Sequence, residues 1–238
     1  MSTDTDRRRT ILLVNPNTNA DTTDRMVAKA NTVLTGTGFR TVGVTAARGP
    51  KMIVEPQALE NSARWAVDAA MVGIDRYQPV AVIVSAFGDP GADELRSRVE
   101  IPVIGIGQAS ILEAAQDGRR FAIATTTGLL ADAMNDLVQW YCPTGDYAGL
   151  WLTEGDPLTL AQDTTASVSQ LGSAIDGAVA AGARAVVIGG GPLSEPAQVL
   201  SLRTDATVIE PIPSAVRKAL AECSVSECSV SECSSTRS

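Results

Sequence analysis

Two clusters of small polar side chains and two glycine-rich turns are the parts of this sequence able to do chemistry. Asn15, Asn17 and Thr18 end the run ILLVNPNT, and Thr125, Thr126 and Thr127 end the run FAIATTT. Amides and hydroxyls at a strand-to-helix junction, beside the free N–H groups of the helix, can cradle a carboxylate or an amide-like group. N-capping by Thr18 or Asn19 is compatible with that role and needs no ligand. Three successive threonines exceed what capping requires, so Thr125 and Thr126 are candidate ligand contacts. The turns are Ser85-Ala86-Phe87-Gly88-Asp89-Pro90-Gly91 and Gly189-Gly190-Gly191-Pro192. Glycine there lets backbone approach a ligand closely and aim its amides at developing negative charge. A tight turn alone would also ask for glycine.

Acid–base groups are scarce around these motifs. The chain has no histidine, which removes Ser-His-Asp and Cys-His catalysis and imidazole metal sites. Asp89 and Glu195 could titrate usefully if desolvation raises them. Each has a structural alternative, an Asx contact before Pro90-Gly91 for Asp89 and a helix-start position for Glu195. The Ser85 hydroxyl should face away from the first turn's next residue and is a poor base without a partner. Cys142 lies far from any expected strand end.

The elements that must position these residues follow from periodicity. Eight short apolar runs, beginning at 11, 40, 81, 102, 121, 147, 185 and 207, alternate with helical patterns. Near-continuous apolar strands between helices predict an α/β fold with parallel sheets covered on both faces. Segment 56–76 starts at Pro56, where a missing N–H is harmless, and sets Leu59, Ala63, Ala66, Val67, Ala70 and Ile74 on one face. Segment 159–181 carries Leu160, Val168, Leu171, Ile175 and Val179 in the same way. The eight runs form two sets of four, offset by 104 to 110 residues, with matching chemistry at their ends. A duplicated unit is the natural reading. The expected organisation is an N-terminal tail at 1–10, lobe one at 11–110 plus 207–221, lobe two at 111–206, and a disordered tail at 222–238. In the tail, Cys223, Cys228 and Cys233 stand five apart, a spacing that matches neither a zinc knuckle nor a redox pair. Ligands bind outside the carboxyl ends of strands in such sheets, so all four polar ends should line one interlobe cleft.

Composition excludes several classes. Net charge is −8, which disfavours nucleic acid and anionic membrane surfaces as partners. No run approaches the ~20 apolar residues of a membrane span. The N-terminal residues lack the apolar region of a signal peptide, and one cysteine in the folded part builds no disulfide framework. A cytoplasmic location is expected.

Asn-Pro-Asn-Thr at 15–18, FGDPG at 87–91 and PVIGIG at 102–107 together resemble the hydantoin racemase branch of the aspartate/glutamate/hydantoin racemase superfamily, over about residues 11–220. FGDPG followed by PVIGIG is the more specific part. The resemblance implies two pseudo-symmetric Rossmann-like lobes, each a mostly four-stranded parallel sheet, and a cofactor-free, metal-free site between them. It also implies two cysteines on opposite sides of a carbon acid, one removing the α-proton and the other returning it to the opposite face. In this sequence Ala86 and Gly190 stand at those positions. They lie 104 residues apart, the offset between the strands beginning at 81 and 185.

The expected activity is therefore a cofactor-independent racemase or isomerase acting on a small hydantoin, ureido or amino-acid-like carboxylate through an enolate-like intermediate, without the thiol pair. A decarboxylating lyase of the same superfamily and a catalytically inactive binding protein are the alternatives. Expected substrate contacts are Asn15, Thr18, Phe87, Gly88, Thr125, Thr126 and Gly191, and an even-numbered homo-oligomer would suit the family.

Overall fold

A computed structural model describes residues 9–190 and 193–234, with Ser194, Glu195 and residues 225–234 described by their backbone alone. Each predicted strand is present. The first four are β1 (Arg9–Asn15), β2 (Phe39–Thr45), β3 (Ala81–Val84) and β4 (Val103–Gly105). They form a parallel sheet in the order β2-β1-β3-β4. The second four are β5 (Phe121–Thr125), β6 (Tyr147–Leu152), β7 (Ala185–Ile188) and β8 (Thr207–Ile209), in the order β6-β5-β7-β8. The two orders are the same under exchange of the halves. Both central strands of each sheet are buried from end to end apart from the first residue of β1, as two-sided coverage by helices requires.

Helices cover the outer faces locally. In lobe one, α2 (Pro56–Tyr77) and α3 (Ala92–Arg98) lie against β1, β3 and β4 through Ala66, Val67, Ala70, Ala92 and Leu95. Pro56 stands at the start of α2 as expected, but the buried stripe uses Ser62 and Gly73 rather than Leu59 and Ala63. Gly73 is required because a Cβ there would press on Leu12. In lobe two, α7 (Thr164–Ala180) and α8 (Ser194–Ser201) cover β5 and β7.

The inner faces are covered by exchange. α4 (Ile106–Ala114) follows the last strand of lobe one, yet its Ile111 and Ala114 pack with Phe121, Ile123 and Val187 of the second sheet, beside α5 (Ala131–Tyr141). α9 (Pro211–Ser234) follows the last strand of lobe two and returns Ile212, Ala215, Val216 and Ala219 to Ile11, Leu13 and Ile83 of the first sheet, beside α1 (Ala20–Val33). Arg217 of α9 and Glu113 of α4 are joined by an ion pair at 2.7 Å. Residues 207–209 pair with β7, so lobe two runs through Ile209 and the chain crosses back only after it, not at 207. α9 also enters the segment expected to be a tail. Cys223 is buried in the core of lobe one because the helix face begun by Ile212 continues to it. No helix of the described residues is long and apolar enough to cross a membrane.

Candidate active site

The carboxyl ends of β1, β3, β5 and β7 meet at a cavity of about 60 Å³ between the lobes. Among the described residues its wall draws seven from each half, so it belongs to neither lobe alone. Ala86 lies on the lobe-one side and Gly190 on the lobe-two side. Met52, Ile53, Phe87, Leu130, Met134 and Leu193 supply its apolar lining. Polar side chains come from Asn17, Thr22, Ser85, Thr126 and Thr127.

The Asn-Pro-Asn-Thr turn divides its work among its members. Asn15 is fully buried and committed to the protein. Its Nδ2 donates to Asn17 Oδ1 (2.9 Å), Asn19 O (3.1 Å) and Thr23 Oγ1 (3.0 Å), and its Oδ1 accepts from the Asn17 amide at 3.2 Å. Asn19 caps α1 by accepting from the Thr22 amide. Thr18 turns away from the cavity and ties down residues 49–50, donating its amide to Pro50 O at 3.0 Å and its hydroxyl to Gly49 O at 3.4 Å. Asn17 is the member that lines the cavity. Its Oδ1 accepts from Asn15 and from the Asn19 amide, which leaves Nδ2 uncommitted among the described residues.

A similar division holds at the second polar strand end. Thr125 is fully buried, and its hydroxyl donates to Gly189 O at 2.7 Å while standing 3.0 Å from Thr127 Oγ1. It braces the β7 turn and does not reach the cavity. Thr126 does reach it, and its hydroxyl has no hydrogen-bond partner among the described residues. Ser85 Oγ donates to the carbonyl of Val14 at 2.8 Å, so β3 is locked to β1 as Thr125 locks β5 to β7.

Asp89 is placed outside the cavity wall. It sits in the left-handed region at φ 49 and is buried. Its Oδ1 accepts the Gly107 amide at 2.8 Å and its Oδ2 the Gln108 amide at 2.7 Å. This carboxylate therefore closes the N-terminus of α4, where the helix dipole favours an anion. Burial pushes its pKa up from 3.8 to about 7, with the Gln108 and Gly107 amides and the Arg96 guanidinium pulling the other way. A Cβ at Gly105 would overlap this carboxylate, and one at Gly107 would press on Leu137 at 2.5 Å and crowd the carboxylate oxygens at 3.2 Å. Gly88, at φ 117, lies with its α-carbon against Leu59 rather than on the cavity.

Among the expected site residues, then, Ala86, Phe87, Thr126 and Gly190 come together around one cavity. Asn15, Thr18, Gly88, Thr125 and Asp89 support its wall from behind. Gly191 and the side chain of Glu195 lie outside the described residues. Sequence does not single out Thr22 or the Met52–Ile53 segment, and it presents Asn17 only as a member of the polar turn, with Asn15 and Thr18 as the expected substrate contacts. Nothing in a single sequence separates Asn17 from Asn15, and a loop distant along the chain gives no periodic signal. No side chain among the described lining residues is an acid or a base, and the described residues contain no cluster able to hold a metal ion.

Comparison with known proteins follows this geometry. The family described as Asp/Glu/Hydantoin racemase matches residues 11–219. A hydantoin racemase from Paenarthrobacter aurescens is 27% identical over 211 residues, covering 88% of this chain and 89% of its own. An allantoin racemase from Klebsiella pneumoniae has the same fold, with a TM-score of 0.85 at 24% identity over 92% of this chain and 89% of its own. A mutant of arylmalonate decarboxylase also shares the fold, with a TM-score of 0.63 at 14% identity over 90% of this chain and 92% of its own.

Proposed function

Since the chain belongs to the Asp/Glu/hydantoin racemase family, we propose that it acts on a small hydantoin, ureido or amino-acid-like carboxylate in the interlobe cavity, through an enolate-like intermediate. The proposal dispenses with the two-thiol acid–base pair. One observation carries it: Ala86 and Gly190, the positions at which the family resemblance implies the thiols, line a single cavity from opposite lobes.

The wall suits such a ligand. Asn17 Nδ2 and the Thr126 hydroxyl are uncommitted donors on a mostly apolar surface, and the backbone amides of Phe87 and Thr126 donate to no described residue. Donors fixed before the reaction stabilise an oxyanion better than water does, because they need no reorganisation. Met52, Phe87 and Leu193 exclude solvent and strengthen those contacts. No cofactor is called for in this scheme.

The proton remains to be assigned. Without a titratable side chain among the described lining residues, the candidate acid–base group is Glu195, on sequence grounds. It lies in the first turn of α8, two residues past Leu193 of the wall. A single group returns a proton most readily to the face it came from, so α-hydrogen exchange would outpace inversion. Loss of carbon dioxide would need the same group only as a donor.

A second reading, a binding protein that has lost the chemistry, is favoured by that missing acid–base side chain. Incubation with chiral hydantoins, ureido acids, amino acids and malonate-type diacids in D₂O, following α-deuteration, optical rotation and carbon dioxide, separates the readings. Exchange with or without inversion supports the proposal, and carbon dioxide release makes the protein a lyase. Silence in all three together with calorimetric binding would leave the binding protein.

A further inference from the structure

The cavity opens into a second, larger recess of about 510 Å³. Asn17, Thr22, Met52, Thr126 and Leu193 line both, so the two are inner and outer compartments of one passage. Two cations stand in the outer one. Arg25 lies three residues beyond Thr22 on the same face of α1, and Lys51 immediately precedes Met52, so each steps outward from a residue of the inner wall. Both are exposed, and neither makes an ion pair or hydrogen bond with a described residue. None of the described residues lining the recess is acidic. In a chain of net charge −8, two cations facing one recess, with no ion-pair partner and no acidic lining among the described residues, need a reason. Ser167 adds a further polar group. It is 2% exposed, lines the recess, and its hydroxyl has no partner among the described residues.

From this arrangement we infer that the ligand carries a second anionic group, an acidic side chain on its hydantoin, ureido or amino-acid-like core, and that Arg25 and Lys51 hold it in the outer compartment. The inference rests on the cavity reading above and narrows it to a substrate class. The core occupies the inner cavity against Asn17 and Thr126. The acidic arm passes between Thr22 and Met52 and ends between the two cations, with the Ser167 hydroxyl available to the same anion. Thr18 serves this geometry indirectly, since its bonds to Gly49 and Pro50 fix the segment that carries Lys51.

The test compares hydantoin-5-propionic acid with its neutral primary amide by titration calorimetry on the full chain. The acid is expected to bind roughly ten-fold more tightly, with Arg25→Gln and Lys51→Gln each removing roughly a three-fold share and leaving the amide unchanged. The preference should shrink at about 0.5 M salt, where exposed charges are screened. Ala86→Leu, which fills the inner cavity, should abolish binding of both compounds. Equal affinities for acid and amide, or glutamine variants that weaken both alike, would overturn the inference while leaving the cavity reading intact. If neither compound binds, or if Ala86→Leu leaves binding unchanged, the cavity reading falls and the inference with it.

Discussion

The Asp89 carboxylate accepts the Gly107 amide at 2.8 Å, joining the turn after β3 to the first turn of α4. This contact explains why FGDPG and PVIGIG occur together. The aspartate of the first motif occupies space that the glycines of the second leave open, and a Cβ at Gly105 would overlap it. Asp89 thus fixes the turn bearing Ala86 and Phe87 against the helix that crosses to lobe two. It is a positioning residue, and its titration should appear in stability rather than in chemistry.

The sign of that titration is set by burial. The folded pKa of about 7 lies above the ordinary 3.8, so the fold favours the protonated acid. The resulting stabilisation is complete below about pH 4 and fades as pH rises through about 7. Unfolding free energy should therefore fall across that interval by on the order of 2–4 kcal/mol. Asp89→Asn should lack this component of the slope. Urea titrations of both proteins at pH 4.5, 6 and 8 check this, and parallel profiles would refute the assignment.

Placing thiols at positions 86 and 190 tests the cavity directly. Ala86 already projects a Cβ, and among the described residues a Cβ at Gly190 would meet Leu193 alone, at 3.0 Å from its Cδ1. A cysteine at 190 needs a small shift of one flexible side chain, and φ there is not positive. Ala86→Cys combined with Gly190→Cys should raise hydantoin racemisation roughly 100-fold or more over the unmodified chain, the scale of general acid–base catalysis. Polarimetry measures it. Each single variant should raise exchange of the α-hydrogen more than inversion, because one thiol serves one face.

Much of this was legible in the sequence because it follows from periodicity. Eight apolar runs gave eight strands, and the matched offsets gave two sheets of identical order. Positions 86 and 190 could be paired because their strands are symmetry mates. The division of labour within each polar turn was not legible. Asn15 and Asn17, or Thr125 and Thr126, have the same chemistry, and only the direction of each side chain decides which one faces a ligand. The end of lobe two was also hidden, since β8 is three residues long and α9 continues past Ala221 with a buried Cys223. A repeat of serine, valine, glutamate and cysteine looks like a tail in one dimension, and its first turn becomes core only when docked.

That division makes a paired prediction at the first turn. Asn15→Ala removes two N–H donors shared among three acceptors, and one accepted bond, from a fully buried site, and should cost about 2–4 kcal/mol of stability. Asn17→Ala leaves Asn15 most of its partners and removes the free amide donor from the cavity. It should weaken binding of a hydantoin roughly five- to ten-fold with a smaller change in stability. Thermal melts and calorimetry on the two variants decide it, and equal losses of affinity would mean that the two asparagines act as one unit.

The exchange of α4 and α9 makes the lobes depend on one another for core. Ile111 of α4 is buried with Phe121, Ile123 and Val187, and Ile212 of α9 with Ile11, Leu13 and Ile83. Neither lobe can open without uncovering a face of the other, so unfolding should be a single cooperative transition. Trp65 of α2 reports on lobe one and Trp151 of β6 on lobe two. Variants retaining only one of these tryptophans should give coincident urea curves. Ile111→Ala and Ile212→Ala should each cost about 2–5 kcal/mol and shift both reporters equally, although the two residues lie in different halves of the sequence. Curves that separate, or a substitution felt by one tryptophan alone, would show lobes that unfold independently. The exchanged helices would then be surface decoration rather than shared core.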